Sequence, residues 1–343
     1  MAASKARAAS LAAMNTFPAV PDVSPAVPDM SPSVPDMSPP VPGTSPAAAP
    51  PSLHRRRRRV KDGMLSGLIY LCAGITVCIL VGLIGYILVQ GLPHISWNFL
   101  STAYSARDKA LQGILPMIIN TLYIVALTLL IVTPIGLSAA IYLTQYARQG
   151  RLVKAIRFTT EVLSGVPSII FGLFGYTVFC VMLGMGVSIL AGCLTMAICI
   201  LPTIIRTTEE SLLAVPDSYK EGALALGAGK LRVVLGIVLP CAMPGVLTAL
   251  ILGMGRIVGE SAALIFTAGM AYDMPREFFG HILQSGRTLT LHLYQTASQA
   301  TDPDAFHIAY ATASVLLILV FLLNRLASLL SRVFNKNPGG RAG

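Results

Sequence analysis

Two ionisable residues stand inside an apolar stretch. Gly255 to Leu264 reads G-R-I-V-G-E-S-A-A-L, within a run from about Met243 to Ala268. If that run crosses a membrane, Arg256 lies about midway, where an ionisable group costs at least about 2.5 to 3.5 kcal/mol. Glu260 follows four residues later, so on one helix both side chains share a face and can pair. Gly253, Gly255 and Gly259 allow a neighbouring helix or a substrate close to the backbone. The pair has two readings. It can satisfy itself and fix helix packing. Alternatively the guanidinium forks to phosphate or a similar oxyanion, and Glu260 neutralises it when the path is empty. Arg206, at the end of another apolar run, either marks the exit of such a path or anchors its helix by snorkelling.

A second constellation is a polar loop between two apolar runs. Glu221 to Pro240 reads E-G-A-L-A-L-G-A-G-K-L-R-V-V-L-G-I-V-L-P. Glu221, Gly222 and Ala223 open it, Gly227 follows, and Ile237, Leu239 and Pro240 close it. Ala223 to Leu226 favour helix and Gly227 interrupts it. Leu231 to Val238 can form a second short helix before Pro240. Two short helices joined at a glycine make a knob on which another protein can dock. Gly222 to Lys230 superficially resembles a phosphate-cradling loop, but the pattern fails at Ala228 and again at Leu231, so no nucleotide site is expected in this chain.

The elements that position these residues follow from composition. Only 12% of the 343 residues are charged, against about 25% in soluble domains, and apolar runs of about 20 residues or more recur. The chain is expected to be an all-α membrane protein with six transmembrane helices. The spans fall at about Met64–Val89, Ile114–Tyr146, Thr159–Leu183, Val187–Ile205, Met243–Ala268 and His307–Leu330. Asn120-Thr121 and Pro134-Ile135-Gly136 interrupt the second. The six cysteines lie in or at the edge of apolar runs and serve as small apolar residues. The five histidines lack metal-ligand spacing and no nucleophile triad is visible. Neither a metal nor a cofactor is expected.

Residues 1–62 read as a disordered head. A seven-residue Pro-rich unit repeats from Val20 to Pro46, too rich in proline for continuous helix. The basic cluster Arg55 to Arg59 with Lys61 follows it. Residues 63–112 hold the first span and a connection, 113–332 the main membrane domain with the polar loop at 207–240, and 333–343 a tail. With both termini cytoplasmic, cytoplasmic segments together with the inner end of the sixth span carry 20 of the 25 Lys and Arg residues and the outer loops four. That asymmetry supports six spans with both ends inside, and it places the polar loop inside as well.

The loop's spacing resembles the EAA motif of ABC importer permeases, with Gly222 in place of the middle alanine. G-I-L-P-M-I-I-N-T-L-Y from Gly113, A-A-I-Y-L-T-Q-Y-A from Ala139, G-V-P-S-I-I-F-G from Gly165, L-P-T-I-I-R-T-T-E-E from Leu201 and G-R-I-V-G-E from Gly255 extend the likeness. Together they resemble the PstA family, the permease subunits of bacterial phosphate importers, over about Gly113 to Leu330. The resemblance implies a type I ABC importer permease fold in the bacterial plasma (inner) membrane. It implies a transport subunit, with ATP hydrolysis carried by a separate protein. It implies partners: a second, PstC-like permease, two PstB-like ATPase subunits and a PstS-like phosphate-binding protein. It links Arg206 and Arg256 to phosphate transport and makes the loop the helix that couples to the ATPase. Another oxyanion such as sulfate or phosphonate, or transport without an ATPase, are the alternatives.

Overall fold

The computed structural model describes residues 53–104, 113–272, 278–299 and 303–335. The repeats of the Pro-rich head and the end of the tail lie outside the described residues. The chain divides into two units, Met1–Leu68 and Ile69–Gly343. Among the described residues every regular element is a helix. These are α1 Leu53–Gly91, α2 Trp97–Ser101, α3 Leu115–Tyr146, α4 Arg151–Ser164, α5 Ser168–Met182, α6 Ile189–Leu213 and α7 Asp217–Ala225. They continue with α8 Lys230–Gly259, α9 Ala262–Thr267, α10 Phe278–Ile282, α11 Leu289–Ser298 and α12 Pro303–Asn335. Helix α1 begins ten residues earlier than the expected head boundary, so the backbone of Arg55 to Arg59 is helical.

Among the described residues five helices are long and apolar enough to cross a membrane, and a sixth crossing exists if α4 and α5 count as one broken span. Of these, α6 is the hub: 67% of its apolar window is buried, against 33% in α3 and α12 and none in α1. Ile124, Val125 and Val132 of α3 close on Cys193, Met196, Ile200 and Ile204 of α6, and Ala249, Met254 and Ile257 of α8 complete the layer. The apolar window of α1 is exposed all round, as suits a lipid-facing helix; α1 meets α12 near its end, where Gly91 is buried and the Ile87 carbonyl accepts from Ser314 Oγ at 3.1 Å.

The third span departs from expectation. Helices α4 and α5 meet at 101°. The break is Gly165-Val166-Pro167, where proline lacks an N–H and disfavours helix in the residue before it. Gly172 of α5 lies so close to Ala263 of α9 that a Cβ there would fall 2.8 Å from the Ala263 Cα. The fifth span is also broken, between Gly259 and Ala262. Pro134 and Asn120-Thr121, by contrast, do not interrupt α3. Asn120 instead donates to the Arg287 carbonyl at 3.2 Å and meets His281 Nε2 at 2.7 Å, and Thr121 accepts from the Leu289 N–H at 3.0 Å. These polar groups tie the segment around 281–289 to one end of the bundle, where Ile114, Met117 and Leu289 form a small core. A second small core at the opposite end joins Ala140, Leu212, Val215, Val233 and Val238, and seats the polar loop.

Candidate substrate path and coupling surface

Arg256 lies near the end of α8 and is half-buried. Its Nη2 donates to Sγ of Cys199, 3.7 Å away near the middle of α6. The expected pairing with Glu260 does not form, since no carboxylate among the described residues comes within 4.0 Å of this guanidinium. The cause is backbone geometry. Helix α8 stops at Gly259, and Glu260 is extended at φ −83°, ψ 128°, so the i,i+4 relation that would align the two side chains is lost. Glu260 Oε1 instead accepts from the Ala263 N–H at 3.2 Å and caps α9. Both charges still act on the Cys199 thiol, so the three share one neighbourhood. A thiol is a weak acceptor. The guanidinium therefore keeps most of its donors uncommitted among the described residues.

Arg206 is not part of that neighbourhood. It stands farther along α6, exposed, with Nε 3.2 Å from Oε1 of Glu210. The expected end of this span at Arg206 is overrun, because α6 continues to Leu213 with Leu212 fully buried. Beside Arg206 is a cleft of about 230 Å³ lined by Arg157, Glu161, Glu209 and Glu210. Arg157 Nε lies 3.5 Å from Oε2 of Glu209, whose side chain is only 10% exposed. This pair was not legible in the sequence. Arg157 reads there as one of several basic loop residues, and nothing in its spacing points across to α6.

The polar loop starts later than expected, at Ala214, and its first helix is α7. Gly227 ends that helix at φ +83°, a left-handed conformation that favours glycine. The Gly227 N–H reaches the Leu224 carbonyl at 2.9 Å and the Ala228 N–H reaches that of Ala223 at 3.1 Å, which satisfies carbonyls left over at a helix end. The second short helix is not separate, since residues from Lys230 run through a π-helical stretch, Val234–Val238, directly into α8. Ala223 and Ala228 pack against the core under the loop. Ile237 and Leu239 are half-buried, while Glu221, Gly222 and Pro240 are exposed. Tyr219, Leu224 and Leu226 are also exposed, Leu226 at 90%. No ion pair occupies Glu221 among the described residues. The loop thus presents apolar side chains and a free carboxylate on a helix anchored from behind.

The chain is similar to known proteins over most of its length. The Probable ABC transporter permease protein YqgI of Bacillus subtilis (strain 168) is 36% identical over 290 residues, covering 81% of this chain and 98% of that one. The Phosphate transport system permease protein PstA of Haemophilus influenzae is 32% identical over 269 residues, covering 78% and 92%. The crystal structure of a bacterial alginate ABC transporter in complex with an alginate pentasaccharide-bound periplasmic protein has the same fold, with a TM-score of 0.56 at 14% identity over 82% of this chain and 96% of that one. The family described as binding-protein-dependent transport system inner membrane component matches residues 132–337, more than half of the chain. The chain belongs to that family, and is an inner-membrane permease subunit of an ABC importer.

Proposed function

We propose that this chain carries inorganic phosphate, as the membrane subunit of an ATP-driven importer. The observation that carries the reading is Arg256, a cation beside the middle of the most buried helix whose side-chain partner is a thiol, with no carboxylate within 4.0 Å among the described residues. A guanidinium kept from its own counter-ion is poised for an anion from outside the chain, and its fork geometry suits a phosphate oxygen pair. Relatives named as phosphate permeases support the substrate. Arg206 and its neighbours at the cleft with Arg157 form the exit, where ion pairs open and close as the helices shift.

The basic-residue asymmetry supports cytoplasmic termini and an inward-facing loop. There α7 docks into an ATPase, with Glu221 and the exposed Tyr219, Leu224 and Leu226 as contacts. ATP binding draws two such subunits together and turns the path outward; hydrolysis resets it. The assembly is this chain with a PstC-like permease, two PstB-like ATPases and a PstS-like binding protein. The Pro-rich head takes no part in transport on this reading.

Radiolabelled phosphate uptake, competed by sulfate and phosphonate, tests the substrate. Arg256→Gln should reduce uptake more than about tenfold at normal membrane abundance, the expected loss of a charge-assisted contact. Because Glu260 caps α9 and does not pair with Arg256, the double variant with Glu260→Gln should insert and still fail to transport. Recovery of near-normal uptake in the double variant would sink the path.

A further inference from the structure

A second guanidinium has no carboxylate partner among the described residues, and this one is buried. Arg287 is 5% exposed and lies at the end of the bundle opposite the coupling loop. Its Nε donates to the Met270 carbonyl at 3.1 Å, its Nη1 faces His292 Nδ1 at 3.5 Å, and its carbon lies 4.7 Å from the centre of the Tyr272 ring. Of the five N–H groups of a guanidinium, three have no partner among the described residues. No carboxylate among the described residues comes within 4.0 Å. An isolated buried charge is costly, and a clamp between Met270 and His292 would be made as well by a neutral donor.

The space beside it is suited to a ligand. A cavity of about 300 Å³ is bounded by Arg287, Tyr104, Tyr272, Gln295, Thr296 and Gln299. Its lining is polar on most sides, and Oε1 of Gln295 is fully buried with no hydrogen-bond partner among the described residues. Tyr104 and Tyr272 meet edge to face at 5.1 Å, and Tyr104 also packs on His292 at 5.2 Å, which fixes the aromatic wall. The cavity therefore offers a fixed cation, several hydroxyl and amide donors, and one orphaned acceptor. A small oxyanion bearing a proton satisfies all of them at once: its oxygens take the guanidinium donors and its O–H goes to Gln295.

We propose that this cavity is an oxyanion-binding site, a station at the outer end of the bundle that receives phosphate before it reaches Arg256. The sidedness and the identity of the anion rest on the function proposed above; the cation, the cavity and the orphaned acceptor do not.

The test uses the whole transporter, this chain with its co-expressed partner subunits but without the binding protein, and radiolabelled inorganic phosphate as probe. Wild type should bind phosphate saturably. Arg287→Gln should weaken that binding by about tenfold or more, as loss of a charged donor implies. Gln295→Glu places a carboxylate in the same cavity as the guanidinium with little change of shape. It should raise thermal stability and abolish phosphate binding together. Arg256→Gln should keep the binding while losing uptake. A Gln295→Glu protein that is stabilised yet binds phosphate normally overturns the proposal, and so does binding that survives Arg287→Gln but not Arg256→Gln. Should Arg287→Gln fail to fold, Gln295→Glu decides alone. A wild-type transporter that binds phosphate at this cavity and does not carry it refutes the functional reading and leaves the cavity site standing.

Discussion

Nη2 of Arg256 lies 3.7 Å from Sγ of Cys199, and that thiol is its only side-chain partner among the described residues. The contact suggests a substitution that reads the charge directly. Cys199→Asp puts a carboxylate where the thiol is. A buried pair with good geometry holds its cation firmly, so an incoming anion must displace an internal one. Uptake should fall about tenfold or more, while thermal stability in detergent holds or rises. Cys199→Ser, a neutral acceptor of similar size, should leave uptake within about twofold, since a neutral hydrogen bond nets only about 1 kcal/mol. Normal uptake in Cys199→Asp would mean that the anion never meets Arg256.

The coupling loop makes a contrast between two glycines. Nothing lies within 4 Å of a Cβ built on Gly222, whereas Gly227 is at φ +83°. Gly222→Ala should stabilise α7 by about 0.5 to 1 kcal/mol and restore the alanine of the family motif. Gly227→Ala should destabilise the loop by about 1 kcal/mol, because alanine resists a left-handed backbone. Thermal midpoints and co-purification of the ATPase measure both effects. Equal stability of the two variants would rule out a helix end fixed by Gly227.

Much of the bundle was legible because a bilayer demands long apolar helices and cytoplasmic loops collect Lys and Arg. The second and sixth spans and the helical character of the loop follow from that pattern. The broken elements were less legible. Gly165-Val166-Pro167 carries a break signal, but the run continues apolar on both sides, so hydropathy reads one span. The stop at Gly259 is harder still, since Arg256 and Glu260 sit at perfect helical spacing and only the backbone turns one of them away. Arg157, Glu209 and Arg287 were invisible as functional residues. Each depends on a partner far along the chain: α6 for the first two, and Met270, Tyr272 and His292 for the third.

The Arg157–Glu209 pair yields a double-mutant cycle. The two groups lie 3.5 Å apart, with side chains 39% and 10% exposed; the facing Nε of Arg157 is itself buried, so solvent screens the pair only in part. Glu209→Ala and Arg157→Ala should each lower stability by about 1 kcal/mol, with less than additive loss in the double variant. The charge reversal Arg157→Glu with Glu209→Arg should restore part of the stability, since the cleft is open enough to accommodate the exchange. Strict additivity would show that the two residues do not hold α4 against α6.

His292 supplies a pH dependence outside the membrane spans. Burial first, and the Arg287 guanidinium second, push its pKa down from 6.5 to about 4. The geometry agrees, because Nδ1 faces an Nη1 donor of Arg287 at 3.5 Å and so must be unprotonated. The sign follows from proton uptake. Between pH 6.5 and about 4 the unfolded chain binds a proton at this residue and the native chain does not. The native state therefore has this contribution in full above pH 6.5 and loses it as pH falls, by up to about 3 kcal/mol at pH 4. Thermal stability of the detergent-solubilised transporter across that window should fall with acid, and His292→Asn should remove most of the slope that this residue supplies. Asparagine lacks the titrating ring but still presents an acceptor toward Arg287, so the comparison is between slopes and not between absolute stabilities. The phosphate cavity adds a second expectation, since it shares Arg287. Bound phosphate stabilises only the folded state, so it should raise the curve in wild type; by offsetting the Arg287 charge, the smaller of the two causes of the shift, it should also make the His292 slope shallower. An unchanged acid slope in His292→Asn would show that the ring takes up its proton in the native state, and would remove the neutral imidazole from the support of Arg287.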